Sequence, residues 1–172
     1  MSQPRARLRI LLVWTVAAAV VAVLLFVGLA SSGGRNGRPA PPLPSEHLSG
    51  RRVTLAGLRG RPAIITFWAS WCEPCAHEAP ALEQFSQGLG AHATLIGVNW
   101  SDPSLSSARS FVKHYGWTFP NLRDPQGTAG LAYGVTVLPT TFVIDSTGKV
   151  RATLRGPQTQ KTLANALATV GG

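Results

Sequence analysis

Cysteine is scarce in this chain, and so is negative charge. Two cysteines, Cys72 and Cys75, stand three positions apart among 172 residues. A framework of several bridges is therefore excluded, and one structural disulfide is poorly served by this spacing. So small a ring removes little chain entropy and suits opening and closing better than bracing. Asp and Glu number 7 against 16 Lys and Arg, a formal charge of +9. The distribution of that charge argues against nucleic-acid binding. Arg5, Arg7, Arg9, Arg35 and Arg38 precede the globular part and meet no acid. The other cations are scattered, with no stripe of Lys/Arg interleaved with exposed aromatics. His47, His92 and His114 show no ligand spacing, and no internal repeat is evident.

Charge is missing altogether from Ile10 to Ala30, 21 residues of mostly Val, Leu and Ala. That length spans a bilayer as a helix, and no polar face exists to make it a buried helix of a soluble core. The arginines before it put residues 1–9 in the cytoplasm and the remainder of the chain outside the cell. A cleaved signal peptide competes, since Gly28-Leu29-Ala30 offers small residues to a peptidase, but its apolar core would be unusually long. No cysteine follows the run, which excludes a lipoprotein-type lipid anchor. The Ser/Gly then Pro composition of residues 31–45 reads as a tether, flexible first and stiff after; folded structure is expected to begin near Pro39, with the domain proper over residues 46–172.

Within that domain the periodicities alternate. Arg52–Leu55 reads as a short strand, Ala63–Trp68 as one buried on both faces, and Glu73–Gly88 as a helix with Ala79, Leu82 and Phe85 inward and a kink at Pro80. Ala93–Val98 follows as a second buried strand. Asp102 or Ser104 caps a helix running to Tyr115. Phe119–Leu122 is short and extended, Thr128–Tyr133 a short helix. Thr140–Ile144 and Val150–Leu154 flank the hairpin signal Asp145–Lys149, and Thr159–Val170 is the closing helix. The order predicts an α/β fold: a central mixed sheet, parallel first and antiparallel at the end, with helices on both faces.

The chemistry concentrates at Ile64–Pro80. An apolar strand stops at Ala69-Ser70, and Cys72 falls where the helix begins, beside unpaired N–H groups and the positive end of the helix dipole. A thiol placed there ionises more readily, and the thiolate is the form that attacks disulfides. Cys75 lies one turn on, and Pro74 costs nothing in a first turn that needs no N–H. The stretch reads as a redox dithiol. His77, two residues past Cys75, would make a copper or zinc site with Cys72, or be a helix-surface histidine. Trp100 and Trp117 would shape a groove or simply pack.

Phe67-Trp68-Ala69-Ser70-Trp71-Cys72-Glu73-Pro74-Cys75 at a strand-to-helix junction, followed later by Val137-Leu138-Pro139-Thr140, resembles the thioredoxin fold. Within it the chain is similar to the membrane-anchored TlpA/ResA/DsbE-type thiol-disulfide oxidoreductases. The resemblance implies a cis peptide before Pro139, a substrate strand held by Leu138 and Pro139 with Trp71 on the rim, and no cofactor. It implies protein disulfides as substrates, among them the haem-binding cysteines of apocytochrome c, and a CcdA/DsbD-like membrane protein as electron donor to a monomer. Some relatives run the reaction as oxidants, and copper delivery to a respiratory oxidase is a non-enzymatic alternative. A peroxidase is disfavoured because no Pro-x-x-x-Thr pattern precedes Cys72. Thioredoxins themselves carry a buried aspartate where this chain has Thr66, which cannot ionise, so Glu78 is the expected proton acceptor for Cys75. Glu73, an acid beside Cys72, disfavours its thiolate and points toward a reductant.

Overall fold

The computed structural model describes residues 37–170. The expected cytoplasmic tail at 1–9, the apolar span at 10–30 and the first part of the tether lie outside these residues. No helix among the described residues is long and apolar enough to cross a membrane.

Seven strands form one sheet: β1 (Arg38–Pro39), β2 (Glu46–Ser49), β3 (Ala63–Trp68), β4 (Thr94–Trp100), β5 (Asn121–Asp124), β6 (Thr140–Ile144) and β7 (Lys149–Arg155), in the spatial order β1-β7-β6-β3-β4-β5-β2. β3, β4 and β5 pair in parallel, while β6 and β7 continue the sheet antiparallel on the other side of β3. Four helices connect them: α1 (Glu73–Gly88), α2 (Leu105–His114), α3 (Thr128–Tyr133) and α4 (Gln160–Ala168). The central strand β3 is buried at every position, which is why its sequence shows an unbroken apolar run rather than alternation.

Alternate residues of β3 feed two cores. Ile64 and Trp68 meet α1, α2 and Leu163 of α4, with Trp68 stacked on Phe111 and edge-on to Trp117. Ala63, Ile65 and Phe67 face the other way, against Ile96, Val98, Phe142 and Tyr133. At about 1.5–3 kcal/mol for each large apolar side chain buried, these two layers carry most of the domain's stability. Between Ile64 and Trp68, on the helix-rich side, stands one polar residue, Thr66, completely buried and bonded to Thr141.

Two expectations need correction. Folded structure begins near Pro39 as expected, so residues 38–45 belong to the domain and not to the tether: β1 pairs with β7, Arg38 Nη2 donates to the Tyr133 carbonyl (2.6 Å) and Tyr133 Oη donates to the Pro41 carbonyl (2.8 Å). Pro39 is tolerated because β1 is an edge strand, where one missing N–H costs little. The segment from Ala40 to Leu58 then crosses the sheet and, with α3, covers the face the other three helices leave bare. Nor is Arg52–Leu55 a strand. Thr54 Oγ1 accepts the Gly57 N–H (3.2 Å), folding the chain into a turn of 3-10 helix at Ala56–Leu58 before any ladder can form. The strand this region does supply is β2, paired to β5 at the opposite edge. Smaller shifts move β5 two residues on from the expected Phe119–Leu122.

Candidate active site

The carboxyl ends of β3, β4 and β5 and the start of β6 lie at one end of the sheet, and the predicted site residues gather there. β3 ends at Trp68; Ala69–Trp71 turn; Cys72 is the N-cap of α1, extended at φ −87° and ψ 102°. Its Sγ accepts the Cys75 N–H (3.2 Å), so the sulfur sits where a helix start leaves a donor free. Pro74 falls in the first turn of α1 as expected. Cys72 and Cys75 form a disulfide. Cys72 is 5% exposed and Cys75 fully buried, so an incoming partner reaches the outer sulfur alone. Trp71 stands 59% exposed beside it, and Glu73 projects from the first turn into solvent.

The Leu138–Pro139 peptide is cis. Leu138 packs on the cluster that contains both cysteines, and Thr140 pairs with Phe67, which brings the loop beside the end of β3. Thr140 Oγ1 donates to the Val137 carbonyl (2.7 Å), and the Gly156 N–H donates to the Pro139 carbonyl (2.9 Å). Val137 on the same loop is 47% exposed, another large apolar side chain left in solvent besides Trp71.

Glu78 lies one turn beyond Cys75 on the same helix face and is 2% exposed. Burial pushes its carboxyl up to about 7, against a Gln158 backbone bond and the Thr66 hydroxyl, which both lower it. The Gln158 N–H donates to Oε2 at 2.8 Å; Oε1 has no hydrogen-bond partner among the described residues. The carboxyl thus sits near Thr66 on β3, the position where thioredoxins themselves hold their acid. A carboxyl raised toward neutrality is suited both to accept and to return a proton.

Other candidates sort differently. His77 is exposed on α1, and no cluster of three or more His, Cys, Asp or Glu suited to a metal occurs among the described residues. Trp117 is buried, donating Nε1–H to the Ala79 carbonyl (3.0 Å), and Trp100 donates to the Gly127 carbonyl (3.3 Å), so both pack. Sequence reasoning missed the loop of Gly156, Pro157 and Gln158, which holds Pro139 and Glu78 together, and it took Asp102 only as a helix cap. Nothing in the sequence marks the loop. A buried Asn99 at the end of β4 with Asp102 just past it is the signal for the second, because these polar side chains meet the dithiol turn at Ser70.

Comparison with known proteins agrees with this geometry. The AhpC/TSA family profile matches residues 36–153. The thiol-disulfide oxidoreductase ResA of Geobacillus thermodenitrificans is 34% identical over 139 residues, covering 78% of this chain and 77% of the relative. A DsbE-type thiol:disulfide interchange protein from Chlorobium tepidum superposes with a TM-score of 0.70 at 30% identity, covering 79% of this chain and 97% of that one. A DsbF homologue from Corynebacterium diphtheriae does so at 0.69 and 30%, covering 76% and 85%. With the dithiol at the helix start, the cis-proline loop and these likenesses together, the chain belongs to the AhpC/TSA family and is a thioredoxin-like thiol-disulfide oxidoreductase.

Proposed function

We propose that this enzyme works as a reductant of protein disulfides outside the cytoplasm, held to the bacterial membrane by residues 10–30 with its N-terminus inside, and that it acts as a monomer. The exchange itself is carried by the buried Glu78 carboxyl, raised to about 7 one helical turn from the inner sulfur, and its direction by Glu73, the exposed acid beside Cys72 that disfavours the thiolate. The reduced pair is the active form. Cys72 thiolate attacks one sulfur of a substrate disulfide, forming a mixed disulfide and releasing the other sulfur as a thiolate. Cys75 then gives its proton to Glu78 and attacks Cys72 Sγ. The second substrate sulfur leaves, two electrons have passed to the substrate, and the Cys72–Cys75 disulfide remains. Leu138 and Pro139 offer backbone to an extended substrate segment, and Trp71 shields the exchanging sulfurs from solvent.

With one cysteine pair, the enzyme needs another protein to recharge it, and a CcdA/DsbD-like membrane donor fits the proposed location. The haem-binding cysteines of apocytochrome c are the proposed substrate. The test is Cys75→Ser mixed with an oxidised apocytochrome c haem-site peptide. A mixed disulfide should accumulate on Cys72, visible by non-reducing mass spectrometry; no adduct would overturn the scheme. The same atoms run backwards in an oxidase, which the reduction potential separates from a reductase. Copper delivery instead requires tight Cu(I) binding by Cys72 and Cys75, and a chelator competition measures that directly.

A further inference from the structure

Asp102 takes no part in the exchange of sulfurs and protons, yet its side chain reaches the dithiol turn. It is 1% exposed, just past the end of β4. Oδ2 accepts the Ser70 N–H (2.7 Å) and Asn99 Nδ2 (2.9 Å), and Oδ1 accepts the Ser104 N–H (3.2 Å). Ser101, immediately before it, has φ +48°, a costly conformation for serine, and its N–H is tied to the Asp124 carbonyl (2.9 Å). That bend precedes a carboxylate turned inward.

Burial pushes the Asp102 carboxyl up, but bonds from Asn99, Ser70 and Ser104 outweigh it and hold the group below the usual carboxylate range. No ion pair to this carboxylate occurs among the described residues; Arg123 meets its backbone carbonyl (3.0 Å) and pairs with Glu46. The donors that hold this charge are all neutral: two backbone N–H groups and one side-chain amide. Helix capping does not account for it, because Ser104 caps α2 itself by accepting the Ser107 N–H (3.1 Å). What the charge does hold is the peptide of Ser70, two residues from Cys72. The Cys72 N–H in turn closes onto the Ala69 carbonyl (3.2 Å).

We propose that Asp102 is a positioning residue that fixes the Ala69–Cys72 turn and, through its negative charge, biases the Cys72–Cys75 couple toward the disulfide. A fixed anion beside the turn disfavours the Cys72 thiolate, so the reduced pair is less stable and a better electron donor. The inference rests on dithiol exchange and not on the reductant reading.

The experiment compares reduction potentials of the full chain and its Asp102→Asn variant in thiol buffers at pH 7, with Cys72 alkylation rates beside them. Asparagine keeps an acceptor for Ser70 and removes the charge. A roughly tenfold shift of the equilibrium toward the dithiol is expected, about 30 mV upward, with alkylation several-fold faster. Ser104→Ala, which loosens α2 and leaves the carboxylate, should not move the potential. A folded Asp102→Asn whose potential matches that of the parent overturns the inference. If that variant does not fold, Asn99→Ala carries the test. It strips a donor that disperses the charge, so the potential should fall, and an unchanged value overturns the proposal equally. The parent's own potential decides the reductant reading separately, so the two failures are distinguishable.

Discussion

Moving a proton from an ordinary thiol near 8.5 to an ordinary carboxylate near 4.5 costs roughly 5 kcal/mol, and to one near 7 roughly 2 kcal/mol. Burial of Glu78 closes most of that gap for Cys75, and the fold bears the cost elsewhere. A carboxyl raised from 4.5 to about 7 binds its proton more tightly folded than unfolded. No penalty exists below pH 4.5; it grows between 4.5 and 7 and is complete above, at about 3 kcal/mol. Glu78→Gln should therefore be more stable than the parent at pH 8 by up to about 3 kcal/mol, with the advantage gone at pH 4, measured by urea denaturation. The same variant should release reduced substrate at least tenfold more slowly and lose the inflection near pH 7 in its rate profile. A Glu78→Gln variant that is no more stable and no slower would remove Glu78 from the mechanism.

At the scale of elements, the β6–β7 hairpin turns on one side chain. Asp145 Oδ1 accepts from the Thr147 hydroxyl and from the Thr147 and Lys149 N–H groups, while Oδ2 takes Arg151 Nε at 2.6 Å. Against burial, which raises it, these bonds lower the carboxyl to about 2. That shift stabilises the fold by about 2 kcal/mol above pH 4, and the contribution is lost as pH falls through 2. Asp145→Asn should cost about that much at pH 7 and progressively less toward pH 2, read from thermal unfolding across the range. The sequence showed this hairpin, and it showed α1 from about Glu73 to Gly88, because Asp-Ser-Thr-Gly and a cysteine-proline helix start are local signals. It did not show β1 or β2. Two- and four-residue strands exist because β7 and β5 offer them edges far away in sequence, and no local pattern records that. Cys72 and Cys75 were legible for the same reason α1 was, since both sit at one helix start; the role of Glu78 on that helix came from the resemblance, without which it reads as a solvated helix residue. Pro139 came from resemblance, and the Gln158 and Asp102 contacts, which join distant loops, came from neither.

For the molecule as a whole, the proline-rich segment that reads as a spacer is part of the folded body. Ala40 is buried, Leu43 packs on the second core, and Arg38 and Pro41 are tied to Tyr133. Two bonds at about 1 kcal/mol each and a similar amount of apolar burial give about 3–4 kcal/mol. A domain started at residue 46 should be less stable than one started at 37 by about that amount, and equal denaturation midpoints would return the segment to the role of tether. The central claim concerns the direction of electron flow, and it is tested most directly by equilibrating the Cys72–Cys75 pair with glutathione or dithiothreitol at pH 7. A reductant requires a potential near −270 mV or lower, about thioredoxin's value; a potential near −120 mV, about that of the strong oxidant DsbA, would mean that this enzyme makes disulfides.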